Sequence, residues 1–176
     1  MEMRMKLRHM PHYTYEDYAK WQGDWELIEG IPYAMASPKF AHQWVIFELS
    51  ALIREALKKA NCPCLVVGEL DWIVSEDTVL RPDLVILCEK PTDYIRQRPE
   101  LVLEVVSESS KLQDEVIKFE KYEELGVPYY ILIYPEQKSW KAYKNTKDGF
   151  KAIENLRLRL KDCEVEIDIN TLWSLA

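Results

Sequence analysis

Apolar and polar positions change period several times along the chain, and each change marks an element. Thr14 ahead of Tyr15-Glu16-Asp17-Tyr18 puts a capping hydroxyl before early acids and predicts a short helix to about Trp21. Residues 24–35 alternate apolar and polar around Gly30, which predicts a β-hairpin. Over roughly 39–60 the spacing lengthens. Trp44, Val45, Phe47, Leu49, Leu52, Ile53, Ala56 and Leu57 recur at threes and fours, with Arg54, Lys58 and Lys59 on the solvated side. This is one long helix, begun after Ser37-Pro38 and ended by Asn61-Cys62-Pro63.

Beyond it the pattern turns to strands. Cys64–Val74 and Val79–Leu87 are apolar on both faces apart from Glu69, Asp71 and Asp83, and Ser75-Glu76-Asp77-Thr78 joins them as a turn. A polar loop over 88–100 carries Pro91 and Pro99, and a strand over 101–106 follows. A helix over 110–125 is stopped by Gly126 and Pro128. Tyr129–Tyr134 is a further strand, and strand–helix–strand suits a parallel crossover. Ser139–Tyr143, Phe150–Ile153 and Val165–Ile169 predict a C-terminal β meander over 138–176, closed by a turn at Thr171–Leu175. Residues 1–176 are expected to form one α/β domain, with a loosely ordered N-terminal segment over 1–12.

A hydrophobic content of 48% beside 30% charged residues describes a soluble folded chain, not a disordered one. No apolar run approaches about eighteen residues, and no charged start leads into an apolar segment. A membrane span and a secretory signal are therefore not expected, and the chain is read as cytoplasmic. The net charge of −7 argues against a module that holds nucleic acid by non-specific phosphate contacts. It leaves room for an enzyme whose acidic site is completed by cations. Cys62-Pro63-Cys64 is C-x-C, not the C-x₂-C of zinc sites, and no histidine lies near it. Packed thiols in a reduced chain are expected here ahead of a structural zinc.

The candidate chemistry lies between Leu80 and Tyr130. Asp83 precedes four aliphatic residues, and Glu104 stands alone within Leu101–Val106. An unpaired buried carboxylate costs several kcal/mol, so each must meet a cation, a hydrogen-bond network or a metal. Asp114, Lys118 and Tyr122 follow at i, i+4 and i+8, on one face of the predicted helix. Two acids on neighbouring strands and a lysine from the next helix suit Mg²⁺ or Mn²⁺. Such a metal activates water and stabilises charge on a phosphate, and a lysine steadies the oxygens involved. Phosphodiester hydrolysis uses all of these parts, whereas glycoside hydrolysis by two acids leaves the lysine unexplained. Lys111 and Lys121 are rivals to Lys118, and Lys121 lies on a different face from Asp114 and Tyr122. Tyr122 itself reads as packing more than as chemistry.

Taken together, several stretches resemble a known family. They are YEDY at 15–18, WELIEG at 25–30, MASP at 35–38, His42-Gln43, RPDLVIL at 81–87, LVLEVVS at 101–107 and DEVIKFEKYEELGVPYYILI at 114–133. Over about 15–144 the chain is similar to the Uma-type restriction endonucleases of the PD-(D/E)XK nuclease superfamily. The resemblance implies a restriction-endonuclease-like α/β core, a central mixed sheet flanked by helices, with metal bound at Asp83 and Glu104. In the superfamily motif the lysine stands two residues after the second acid, where this chain has Val106. The resemblance moves that role to Lys118 on the following helix. Glu26 and His42 also match family positions. Glu26 is either a further acid near the metal or a hairpin surface residue, and His42 either faces the cleft or caps the long helix.

Two functions follow. One is a Mg²⁺- or Mn²⁺-dependent endonuclease acting on DNA, working by analogy as a homodimer, with Asp83, Glu104, Lys118 and Glu26 as its catalytic set. The other is a nuclease-fold module without catalysis that binds DNA or protein. Val106 and the net charge favour the second; two isolated acids favour the first.

Overall fold

The computed structural model describes residues 10–175. The expected loose segment over 1–12 therefore lies largely outside the described residues. Within it, His12 bonds the Asp77 carboxylate at 3.0 Å. Helix α1 (Tyr15–Tyr18) opens on a reciprocal cap, Thr14 and Asp17 each bonding the other's backbone N–H. Strands β1 (Trp25–Ile28) and β2 (Ile31–Ala34) turn at Glu29-Gly30, both at positive φ, as a two-residue hairpin turn requires.

Helix α2 (Phe40–Lys59) ends as its sequence dictates. Asn61 takes the left-handed conformation after the helix. Its N–H reaches Lys58 O and that of Cys62 reaches Leu57 O, satisfying two terminal carbonyls. Val45, Ile46, Leu49, Ile53 and Leu57 face inward. Phe47, expected on that stripe, is 71% exposed. Ile46 fills the inward position, and Phe47 falls about 100° further round.

The two long strands expected over Cys64–Val74 and Val79–Leu87 pair as predicted, but each is broken in two. Leu65–Gly68 (β3) pairs with Leu84–Leu87 (β6) in one sheet, and Trp72–Ser75 (β4) with Thr78–Leu80 (β5) in another. Leu65↔Leu87 and Trp72↔Leu80 belong to one continuous register, so this is a single long hairpin bent across two sheets. The bend falls at Glu69–Asp71 on one arm and Arg81–Asp83 on the other. Pro82 has no N–H for a ladder, and Glu69 sits at φ +49°. Arg81 fastens the crossing, its guanidinium 2.7 Å from Asp71 and 2.7 Å from Asp24.

The small sheet runs β2-β1-β5-β4. The large one runs β10-β9-β8-β7-β6-β3 and adds β7 (Leu101–Val105), β8 (Tyr129–Tyr134), β9 (Ser139–Thr146) and β10 (Gly149–Ile153). β7 and β8 are its parallel pair, joined by the helical segment that ends in α3 (Lys118–Glu124); the other neighbours are antiparallel. Alternation along the strands sorts the core. Leu84, Ile86, Leu101, Leu103, Ile131 and Ile133 pack under α2, and Val85, Val102, Val106, Tyr130 and Leu132 pack with Tyr122 of α3.

The C-terminal meander is divided as well. β9 and β10 extend the large sheet, whereas β11 (Arg157–Leu160), which the pattern does not predict, pairs with β12 (Cys163–Glu166) as a separate hairpin. Leu158, Leu160 and Val165 of that hairpin join the core beneath α2. The expectation of packed free thiols is also corrected: Cys62 is bonded to Cys163 and Cys64 to Cys88. No helix among the described residues is long and apolar enough to cross a membrane.

Candidate functional site

The bend in the hairpin sets Asp83 where the two sheets meet. Continuing the β6–β7 register (Leu84↔Leu103) by one residue places Asp83 opposite Glu104, and alternation turns the Glu104 side chain to the face away from Leu103 and α2. Glu26 approaches from β1 of the small sheet. Lys118 and Asp114 approach from the helical segment between β7 and β8. All five are buried: Glu26 3%, Asp83 8%, Glu104 3%, Asp114 3% and Lys118 2% exposed.

Lys118 is the centre of the group. Its Nζ lies 2.9 Å from Glu26 Oε2 and 3.0 Å from Glu104 Oε1. Glu26 Oε2 also accepts the Arg81 N–H at 2.7 Å, so the arm carrying Asp83 helps to hold Glu26. The Tyr122 hydroxyl donates to Glu104 Oε1 at 3.1 Å. Ser110 Oγ donates to Asp114 Oδ2 at 2.7 Å, and the Tyr130 hydroxyl donates to the Asp114 carbonyl. Asp83 Oδ2 accepts the Val105 N–H at 2.7 Å and lies 3.3 Å from His42 Nε2.

The charges do not balance. Four carboxylates are buried around Lys118, whose ammonium contacts two of them, Glu26 and Glu104. Burial raises Glu104 well above the ordinary carboxylate range; Lys118 opposes this, while Asp83, Asp114 and Glu26 reinforce it. Burial likewise pushes Asp114 up to about 6, with Lys118 and Ser110 pulling the other way. Burial works against a charged Lys118, but Glu104, Glu26 and Asp114 outweigh it and hold the ammonium well above its usual value. His42 meets the same contest, and its bond to Asp83 raises it.

Such a surplus is what a divalent cation neutralises, and the donors suit a hard ion. Asp83 Oδ1 and Glu104 Oε2 stand outside the contacts just given and are the oxygens that could hold such a cation. His42 and Asp83 are the least buried side chains of the group, at 19% and 11%, and form its edge toward solvent. Two surface depressions lie elsewhere, one beside Cys88 and Arg98, the other beside Trp44 and Trp173.

The sequence-selected residues thus divide. Asp83, Glu104, Asp114, Lys118, Tyr122, Glu26 and His42 come together. Of the rival lysines, Lys121 is tied to Glu29 and Glu124, and Lys111 lies near Glu115 at the exposed start of the segment. Val106 takes the same face as Glu104 but packs in the apolar cluster. Pattern reading missed Ser110 and the Arg81 N–H. It also missed that the helix expected over 110–125 contains a π-helical turn over Gln113–Ile117, from which Lys118 continues as α-helix.

The family model described as "Putative restriction endonuclease" (Uma2) matches residues 15–165. No curated protein matches the chain. Among solved structures, a crystal structure from Anabaena variabilis ATCC 29413, titled a putative nuclease belonging to DUF820, superposes with a TM-score of 0.71. It is 16% identical and covers 92% of this chain and 97% of its own, which establishes a shared fold.

Proposed function

We propose a metal-dependent endonuclease that hydrolyses phosphodiester bonds of DNA, in a chain that belongs to the Uma2 restriction-endonuclease family. The observation that carries this reading is the buried surplus of carboxylates around Lys118. Lys118 pairs with Glu26 and Glu104, Asp83 and Asp114 are buried close by, and an uncompensated charge is costly to bury. A site built to take up a divalent cation needs that surplus.

In this reading Asp83 and Glu104 hold one Mg²⁺ or Mn²⁺. A cation held by these two acids would supply water activation and charge stabilisation at the phosphate. Lys118 supplies a second, fixed positive charge where negative charge develops on the phosphate oxygens. Glu26 and Asp114 keep that ammonium in place and charged. Tyr122 orients Glu104, and His42 steadies Asp83 at the edge open to a DNA backbone. Cutting both strands of a duplex takes two such centres, so a homodimer acting in the cytoplasm belongs to the same proposal.

A nuclease-fold module that binds without cutting is favoured by two observations, the net charge of −7 and the valine at position 106 where the superfamily motif has lysine. Cleavage of supercoiled plasmid with Mg²⁺ or Mn²⁺ separates the two. The wild type is expected to nick, and Asp83→Ala, Glu104→Ala and Lys118→Ala are each expected to lose at least about a hundredfold. No nicking with either metal, together with no Mn²⁺ uptake by calorimetry, would leave the binding module as the better account.

A further inference from the structure

The four cysteines of the chain, Cys62 and Cys64 two residues apart and Cys88 and Cys163 distant from them in sequence, are brought to one place outside the acidic cluster. Cys62 follows the α2 terminus. Cys64 and Cys88 extend β3 and β6 by one residue each, which sets them opposite one another with Cα atoms 4.1 Å apart. Cys163 opens β12, 101 residues from its partner Cys62, with Cα atoms 5.6 Å apart. The two pairs are not independent. The sulfurs of Cys62, Cys64 and Cys163 all lie within 4.8 Å of one another, and Cys88 is bonded to Cys64. Two separate crosslinks have no need to touch. Four thiolates around a tetrahedral metal must, with sulfurs about 3.8 Å apart at zinc–sulfur distances of about 2.3 Å.

We propose that Cys62, Cys64, Cys88 and Cys163 form, in the reduced protein, a tetrathiolate site for one soft divalent cation, Zn²⁺. Two observations support it: the convergence of the Cys62, Cys64 and Cys163 sulfurs, with Cys88 bonded to Cys64, and the buried or half-buried positions of all four. Arg98 and Lys161 line the depression beside Cys88, with Glu89 and Glu100. Lys161 also reaches Glu89 at 3.0 Å, closing the hairpin of β11 and β12 onto the end of β6.

The chemistry balances. Reducing the two disulfides takes four electrons and four protons, supplied by two equivalents of a dithiol that is itself oxidised to its disulfide. Zn²⁺ then displaces the four thiol protons as the four sulfur–metal bonds form. The metal would tie the end of α2, the β3–β6 edge and the C-terminal hairpin at one point, as the disulfides do in the oxidised form.

The test uses the full chain, produced with zinc in the medium and purified under reducing conditions without chelator. Elemental analysis is expected to give one zinc per chain. All four thiols should become open to alkylation only after denaturation or chelation. Exchange for Co²⁺ should give thiolate-to-cobalt charge-transfer absorption and the visible bands of a tetrahedral ion. Cys88→Ser and Cys163→Ser should each lose that spectrum, whereas Asp83→Asn/Glu104→Gln should keep it, which separates this site from the acidic one. If a cysteine variant does not fold, the wild-type cobalt spectrum decides alone. Reduced wild type with four free thiols and no zinc above the buffer blank would overturn the proposal. So would cobalt bound without thiolate absorption.

Discussion

Replacing Lys118 with methionine keeps the length and packing of the side chain and removes only its charge. Glu26 and Glu104 then lose the ammonium that lies 2.9 and 3.0 Å from them, in a space where Lys118 is 2% exposed. Removing one partner of a buried ion pair costs about 3–5 kcal/mol, because the other charge stays buried and uncompensated. For a chain of this size that is a fall in Tm of roughly 6–20 °C.

The loss has a pH signature. Burial already raises Glu104 in the folded protein, and Lys118 is the influence that restrains it. In Lys118→Met the carboxyl rises further, so the folded variant holds a proton that the unfolded chain releases. Stability then falls with rising pH in both proteins once pH passes the unfolded carboxylate value, and in the variant the fall continues beyond the wild-type folded value, so the gap between them is wider at alkaline than at acidic pH. Urea unfolding with chelator present, at acidic and at alkaline pH, measures this directly. A variant that costs less than about 1 kcal/mol, with the same gap at both ends, would refute the claim that the ammonium compensates the acids.

Other outcomes follow from the same geometry. Mn²⁺ or Mg²⁺ at about a hundred times its Kd should raise the wild-type Tm by roughly 5–10 °C, and Asp83→Asn or Glu104→Gln should abolish the shift in a thermal melt. Asp114 titrates at about 6 when folded against 3.8 unfolded, so wild-type stability should fall as pH rises through that window. Asp114→Asn should remove a fall on the order of a few kcal/mol, read as a flatter profile in urea titrations from about pH 4 to pH 7. Gly126→Ala forces an alanine to φ +73° at the end of α3, with its Cβ 3.3 Å from Arg98 Nη1. It should cost about 1–2 kcal/mol in the same unfolding assay, with metal affinity unchanged.

Much of this was legible in the sequence because the signals were local or costly. α2 ends where Asn61 stands ready for a left-handed cap, and the helix after β7 stops at Gly126. Asp83 and Glu104 announced themselves because an isolated acid in an apolar strand is too expensive to be accidental. What was not legible depends on which sheet each residue joins. Nothing in Cys64–Val74 says that Gly68 and Trp72 belong to different sheets, and that division is what brings Glu26 to Lys118. Spacing alone left Lys111, Lys118 and Lys121 in competition, since only burial separates them. The π-helical turn at Gln113–Ile117 has no compositional mark. The meeting of Cys62 with Cys163 is a long-range contact that no local pattern encodes.

The bent hairpin also implies an order of assembly. Its arms pair across a four-residue turn, so Asp83 can be positioned by contacts no more than 22 residues apart in the chain, such as Leu65 with Leu87. Closing such short loops is entropically cheap and fast. Glu26 and Lys118 are 92 residues apart, and their contact must wait until β1, β7 and the helix beyond have docked. The scaffold for the first acid therefore forms early, while the ammonium that neutralises the others arrives late. A newly made chain passes through states in which its acids are solvated and apart, and it acquires an intact centre only when both sheets have closed around Lys118.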